Sequence, residues 1–286
     1  MWSILTIKEL LNRATYKLKD AKIEQPILKA RILMQYTLNK PREYIIVYDN
    51  KEVSKDQEER YVQNIERLIS GTPLQHITKT QEFMKINFFV NEDVLIPRPD
   101  TEVLVEEVIE ITKRLTRPKV LDLCTGSGAI AISIAKYAKN AVIYASDISK
   151  NAIKVAKKNA KTNGVDNRIE FIESDLFDSI PKTKFDIIVT NPPYIKRSEI
   201  SKLDIEVQKE PQMALDGGID GLEFYRKISN NAYDYLKYNG YLCMEIGFDQ
   251  KEFVLDILNY EKRYSGTYSK KDLYGNDRII VTRVGD

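Results

Sequence analysis

Four residues, Asn191-Pro192-Pro193-Tyr194, carry the most specific chemistry in this chain. They follow the apolar run from Phe185 to Thr190, so they stand where a buried strand ends and its backbone opens into a cleft. Proline has no N–H and restricts the residue before it. The segment is therefore a rigid row of acceptors: the Asn191 side-chain oxygen and the carbonyls of Asn191 and Pro192. Such a row suits a planar amino group with two hydrogens to donate, and Tyr194 offers a face on which that plane can stack. Asn191, Pro192 and Tyr194 are the candidate catalytic residues, and with Pro193 they are the candidate substrate contacts. A proline-rich turn is the plain alternative, since Asn-Pro pairs are common turn formers.

The elements upstream raise the functional reading. Lys119 to Leu123 is an apolar strand, Cys124-Thr125-Gly126-Ser127-Gly128 a glycine-containing loop, and Ala129 to Lys136 a small-residue helix. Glycine lets the backbone approach a ligand without a Cβ in the way. A second strand, Ala141 to Ser146, ends on Asp147, about twenty residues past the glycines, where a nucleotide-binding βαβ unit keeps a ribose-binding acid. The first glycine of a dinucleotide fingerprint is replaced by Cys124, and a pyrophosphate would want the full set. A ligand without phosphates asks less of the loop, and S-adenosylmethionine is such a ligand. Candidate cofactor contacts are Asp122, Cys124, Thr125, Gly126, Ser127, Gly128, Asp147 and Asn191. A strand from Ile169 ends near Asp175 and Leu176; the acid could accept from an adenine amino group while Leu176 packs on the ring, although a solvated strand-end acid fits equally.

The rest of the chain must position these groups. Thr6 to Glu9 and Ser54 to Gln57 fit capping boxes, each opening a helix with apolar residues at helical spacing. Pro26 opens another helix that Pro41 closes. Residues 1–72 are thus expected to form a helical domain. Glu82 to Val90 reads as one strand, an arm of a hairpin bridging residues 73–99, and residues 100–286 as an α/β domain in which Asp100 caps a helix. Strands alternating with helices argue for a sheet covered on both faces, with its ligand at the carboxyl ends. The connection from Ile195 to Gly221 is longer than ordinary ones, which favours substrate gating over a passive loop.

Composition sets looser bounds. With 286 residues there is room for two domains and a substantial core. The chain has 44 basic and 42 acidic residues, so its overall balance demands no nucleic acid. Cys124 and Cys243 fall in strands or strand ends and fit reduced thiols in a cytosolic protein better than a disulfide. One histidine, His76, excludes histidine triads and multi-histidine metal sites by count. No signal peptide and no apolar run of membrane-spanning length appears.

Together these residues resemble a known family. Asparagine-proline-proline-tyrosine after the fourth strand of an S-adenosylmethionine fold recurs in methyltransferases that modify exocyclic or amide nitrogens. Ile96-Pro97-Arg98-Pro99-Asp100-Thr101-Glu102 looks like the signature of the protein-(glutamine-N5) methyltransferase family acting on peptide chain release factors. Glu210-Pro211, Ala214-Leu215, Gly217-Gly218, Gly221-Leu222 and Gly240 to Gly247 look like its downstream pattern. The resemblance implies a Rossmann-like S-adenosylmethionine-dependent methyltransferase fold with a small N-terminal helical bundle that helps recognise the protein substrate. It also implies transfer to the glutamine of a release factor's Gly-Gly-Gln motif, with S-adenosylhomocysteine as the second product. An amide nitrogen is a poor nucleophile, and no strong base lies near the motif. Accepting both N–H bonds at Asn191 and Pro192 would orient the nitrogen and favour its charged transition state. The sulfonium is already activated, so no metal is needed. Three other readings share parts of the pattern: a glutamine methyltransferase of a ribosomal protein, a DNA adenine-N6 methyltransferase that would flip its base, and a non-catalytic adaptor that binds S-adenosylmethionine.

Overall fold

The computed structural model describes residues 5–285, which divide into two compact units. The first holds residues 5–79 together with Asp204–Lys209. It comprises helices α1 (Ile7–Asp20), α2 (Pro26–Leu38), α3 (Arg42–Val47), α4 (Lys55–Ile69) and α5 (Leu74–Thr78). Both capping boxes form, Thr6 with Glu9 and Ser54 with Gln57, so orphan N–H groups at two helix starts are satisfied within the sequence itself. Leu10, Leu18, Leu33, Ile65 and Leu68 meet in the bundle core, and the buried Tyr61 hydroxyl donates to the Ala30 carbonyl at 3.1 Å. Helix α3, of six residues, is too short to show a period and was invisible as a pattern. Helix α5 packs on α2 and α4.

The second unit opens with the hairpin β1 (Thr80–Phe83) and β2 (Ile86–Phe89). The stretch expected to be a single strand from Glu82 to Val90 instead holds the second half of β1, the turn and all of β2. The turn falls at Met84 and Lys85, each with left-handed backbone at φ 50° and 57°. That conformation usually advertises itself through glycine or asparagine, and neither is present. Phe83 and Phe88 meet edge to face at 6.1 Å and enter the core of this unit.

Next come α6 (Glu102–Thr112), β3 (Lys119–Leu123), α7 (Ala129–Tyr137), β4 (Val142–Asp147), α8 (Lys150–Thr162), β5 (Ile169–Glu173) and β6 (Phe185–Thr190). The long connection after β6 is not structureless, since it contains α9 (Ile205–Gln208). This turn belongs with the first unit, where Glu206 pairs with Lys29 at 2.9 Å. The chain ends with α10 (Glu223–Tyr235), β7 (Leu236–Glu245), α11 (Lys251–Glu261), β8 (Tyr264–Lys271) and β9 (Asp277–Val284). Asp100 does not cap α6. A 3-10 turn over Pro99–Thr101 precedes the helix, and Asp100 instead pairs with Arg278 at 3.3 Å.

Seven strands form one sheet in the order β5-β4-β3-β6-β7-β9-β8. The first five are parallel, and β9 and β8 run antiparallel at one edge. Alternate residues of β3 face opposite layers, Val120 toward α6 and α7, Leu121 and Leu123 toward α10 and α11. The chain leaves β3 for β4 on one side and returns to β6 on the other, so the carboxyl ends of these strands diverge and leave a crevice.

Asn159 of α8 ties three segments together at that end. Its Nδ2 donates to the carbonyls of Phe89 and Ser127 at 2.9 and 2.8 Å, and its Oδ1 accepts from the Phe89 N–H at 2.7 Å. Asn159→Ala removes all three bonds and leaves buried backbone groups unpaired, so it should destabilise this unit by about 2–4 kcal/mol in urea unfolding.

Candidate active site

A cavity opens at the carboxyl ends of β3, β4, β5 and β6, and its walls come from the second unit alone. Cys124, Gly126, Asp147, Asp175, Leu176, Asn191 and Pro193 all line it. Four segments of sequence therefore converge on one space, because each of these parallel strands delivers its following loop to the same edge.

Not every candidate reaches the wall. Asp122 stands behind the loop, and Thr125, Ser127 and Gly128 belong to the loop without lining the cavity. Asp122 is fully buried, and its Oδ2 accepts from the Thr125 hydroxyl at 2.6 Å and the Ala131 N–H at 3.1 Å, fastening the loop to the first turn of α7. Gly128 has φ +82°, and a Cβ there would come within 2.8 Å of Ile132 and 3.1 Å of Ala156, so glycine is needed for the loop to lie against α8. Pro192 and Tyr194 are placed beside the cavity rather than among its lining residues.

Asp147 is held by its own backbone surroundings. Oδ2 accepts from the Gly126 N–H at 2.8 Å and Oδ1 from the Ser149 N–H at 2.9 Å. Each oxygen retains a lone pair for a ligand hydroxyl. The wall carries Asp93, Asp147 and Asp175 against one base, Lys227, and that lysine pairs with Glu223 at 2.7 Å. Such a wall disfavours phosphates and suits a neutral nucleoside attached to a cation. The donor set fits S-adenosylmethionine: a diol for Asp147, an amino group for Asp175, a ring for Leu176 and a sulfonium among carboxylates.

The proline segment is clamped from behind. The Gln250 Nε2 donates to the Tyr194 carbonyl at 2.9 Å and to the Gly221 carbonyl at 3.2 Å. Gln250 Oε1 accepts from the Gly247 N–H and the Tyr225 hydroxyl. Gly221 has φ +75°, and a Cβ there would sit 2.5 Å from the Tyr194 carbonyl oxygen. The Asn191 Nδ2 donates to Thr101 Oγ1 at 3.3 Å, and the Tyr194 hydroxyl to Glu245 Oε1 at 3.4 Å. Further off, buried Glu210 accepts from the Ile96 N–H at 2.8 Å and pairs with Arg98. Sequence reasoning did not assign roles to Asp93, Met213, Phe224 or Lys227, which also line the cavity. Phe224 and Lys227 sit three apart on an ordinary amphipathic helix and give no signal. Glu245 does give one, as an acid within the apolar run of β7.

Burial dominates the electrostatics. Desolvation pushes the Asp122 carboxyl up to about 7, opposed by the Thr125 and Ala131 bonds. Glu245 is likewise raised to about 7 by burial, opposed by the neighbouring Thr101 hydroxyl and by the Arg278 charge. Asp147 is raised by burial and pulled back by the Ser149 and Gly126 N–H groups. Burial pushes the Cys124 thiol up, and the Asp147 charge adds to this, so the thiol stays protonated and serves as wall.

This strand order, with an acceptor-rich cavity free of a phosphate cradle at the switch point, defines an S-adenosylmethionine-dependent methyltransferase. Comparison with known proteins agrees. Residues 99–210 match the Methyltransferase small domain family and residues 9–78 the PrmC N-terminal domain family. The release factor glutamine methyltransferase of Clostridium acetobutylicum is 40% identical over 280 residues, covering 97% of this chain and 98% of that protein. The bifunctional methyltransferase of Rickettsia typhi is also 40% identical, and this chain spans 57% of its length. A methyltransferase structure from Pyrococcus furiosus shares the fold, with TM-score 0.50 and 16% identity over 81% of this chain and 98% of that one. The chain belongs to the release factor glutamine methyltransferase family.

The raised carboxyls make stability depend on pH in a stated direction. From the ordinary values of 3.8 for Asp122 and 4.5 for Glu245 up to about 7, the folded state holds protons that the unfolded state has released. Their contribution is therefore present at low pH and lost as pH rises through about 7. Asp122→Asn keeps an acceptor for Thr125 and Ala131 without titrating. Its melting temperature relative to the unsubstituted protein should rise by several degrees between pH 4.5 and 8, measured by thermal denaturation.

Proposed function

We propose that this protein transfers the methyl group of S-adenosylmethionine to the side-chain amide nitrogen of the glutamine in a release factor's Gly-Gly-Gln motif. One observation carries the reading: Asn191 and Pro193 line the same cavity as Asp147, Asp175 and Leu176. The start of the acceptor row and the nucleoside-binding groups therefore share one space, with Pro192 beside it. The bound cofactor supplies a methyl group already activated on a positively charged sulfur.

The protein's own contribution is position and polarity. Asp147 holds the ribose hydroxyls, Asp175 and Leu176 the adenine, and the loop from Cys124 to Gly128 the remainder. The Asn191 side-chain oxygen and the Pro192 carbonyl accept the two amide hydrogens of the glutamine, and the Tyr194 ring covers its plane. An amide nitrogen resists attack because its lone pair is shared with its carbonyl. Two acceptors on its hydrogens favour the pyramidal, positively charged nitrogen of the transition state over the planar ground state. Alignment of nitrogen with the methyl group removes most of the remaining entropic barrier. The methylated nitrogen is acidic and releases a proton to water. Gly-Gly beside the glutamine suits a cramped site, because bulkier neighbours would hold the amide away from the carbonyls.

The helical unit is the candidate surface for the release factor, and the near-neutral charge of the whole chain supports a protein rather than a nucleic-acid substrate. Two free cysteines, Cys124 and Cys243, suit a reducing cytosol, where release factors act. No helix among the described residues is long and apolar enough to cross a membrane.

Labelled methyl transfer to a purified release factor, to its Gln→Ala variant and to duplex DNA tests the reading. Label is expected on the unsubstituted factor only, and label on DNA would overturn the substrate. Asn191→Ala should lower kcat by about 10²–10³-fold while the affinity for S-adenosylhomocysteine changes by less than about threefold. Asp147→Ala should instead weaken that affinity by about 10–100-fold, the loss of charge-assisted hydrogen bonds. Calorimetric titration separates the two.

A further inference from the structure

Gln250 stands at the entry to α11 but does not serve the helix. It occupies the place where serine, threonine, aspartate or asparagine ordinarily caps the first turn, and its side chain makes no capping bond. The carboxamide turns back instead into the interior, and the residue is 4% exposed. Nε2 donates to the Tyr194 carbonyl at 2.9 Å and the Gly221 carbonyl at 3.2 Å, and Oε1 accepts from the Gly247 N–H at 3.0 Å. A carbonyl can only accept and an N–H can only donate, so three backbone groups fix which end of the amide faces which neighbour. Two glycines make the room: a Cβ at Gly221 would come within 2.8 Å of Nε2, and one at Gly247 within 2.8 Å of Oε1. A side chain that gives up its local role to hold distant backbone breaks a folding rule of the kind that is broken at functional sites.

What Gln250 holds is the far end of the acceptor row. The near end is fixed by the sheet, where Thr190 pairs with Leu123 and Met244 and its hydroxyl donates to the Leu123 carbonyl at 2.9 Å. Beyond Thr190, Pro192 and Pro193 have locked φ, and Asn191 and Pro192 are each further restricted by the proline that follows. The row therefore moves as one stiff piece, and its far end decides where the Pro192 carbonyl points. Ile195 is bonded to Leu215 and Gly217, but these belong to the long connection, which Gln250 itself ties down at Gly221. The Tyr194 hydroxyl reaches Glu245 only at 3.4 Å, so the shorter bond from Gln250 is the firmer link between the row and the end of β7.

We propose that Gln250 is a positioning residue for methyl transfer: by holding the Tyr194 carbonyl it sets the Pro192 carbonyl at the distance and angle that the substrate amide needs. This rests on the acceptor role of the Asn191–Tyr194 segment. Gln250 is not among the residues of the cavity wall and acts through Tyr194.

The full-length chain is assayed with purified release factor and S-adenosylmethionine, and S-adenosylhomocysteine affinity and melting temperature are measured on each variant. Gln250→Met, of similar size but without donors, should lower kcat by about 10–100-fold, the effect of a small misplacement at a reacting centre. KM for the release factor and the affinity for S-adenosylhomocysteine should stay within about threefold. Tyr225→Phe is the structural control. Its hydroxyl hydrogen lies between Gln250 Oε1 at 3.2 Å and the Glu245 carbonyl at 3.1 Å. Its loss should lower the melting temperature and leave kcat within about threefold of normal. Where methionine prevents folding, Gly247→Ala carries the test: the added carbon displaces the Gln250 amide without deleting it, and kcat should fall about tenfold at unchanged S-adenosylhomocysteine affinity. Three results would overturn the proposal: the variant that carries the test within about twofold of normal kcat, a Tyr225→Phe loss as large as that variant's, or S-adenosylhomocysteine affinity falling in step with kcat. Asn191→Ala run alongside separates the levels. Full activity there sinks the acceptor role of the segment, whereas its loss beside a normal Gln250→Met sinks only the positioning role.

Discussion

Two consecutive prolines remove the backbone donors with which a loop ordinarily anchors itself, and much of the site is arranged around that deficit. Pro192 and Pro193 leave the segment rigid but unable to bind its own surroundings through N–H groups. It is therefore held through what it can still offer, carbonyls and side chains. Gln250 reaches across from the start of α11 to the Tyr194 carbonyl. The Asn191 amino group finds Thr101 and the Tyr194 hydroxyl finds Glu245. Gly221 lets another stretch of backbone lie against the Tyr194 carbonyl where any side chain would collide.

The same logic accounts for the company these residues keep in the sequence. Glu210, far along the chain from Ile96 and Arg98, accepts from the backbone of one and the guanidinium of the other. A buried carboxylate needs such partners, because an unpaired charge at that depth is costly. The two motifs are two halves of one polar contact, and neither can change alone without leaving the other half stranded. Pro211, Met213 and Ala214, which follow Glu210, line the cavity, so that contact also sets one of its walls.

Charge in the cavity is spent on selectivity. Three carboxylates face a space where dinucleotide enzymes place backbone N–H groups for phosphate. Cys124 takes the position of a fingerprint glycine yet keeps the left-handed backbone, at φ 58°. The turn is thus preserved while its side chain fills room that a pyrophosphate would occupy. Asp147 keeps its two oxygens pinned by N–H groups at 2.8 and 2.9 Å, so it meets a ligand already oriented.

What the sequence determined by itself is what depends on local or periodic physics. Capping boxes at Thr6 and Ser54, the apolar strands β3, β4 and β6, the acid at the end of β4 and the proline-locked acceptors after β6 were all legible, because each follows from residue type at short spacing. The hairpin turn at Met84 and Lys85 was not, since its left-handed residues are imposed by the packing of Phe83 and Phe88 rather than by turn-forming side chains. Nor could sequence tell that Asp122 supports the loop from behind and that Thr125 and Ser127 stay off the cavity wall, while Phe224 and Lys227 reach it. Glu245 showed only as an acid in an apolar strand, without its partners. Those outcomes depend on which parallel strands become neighbours and how deeply each loop is buried. They are decided by long-range packing and by the need to satisfy every buried polar group, and only the tertiary structure settles either.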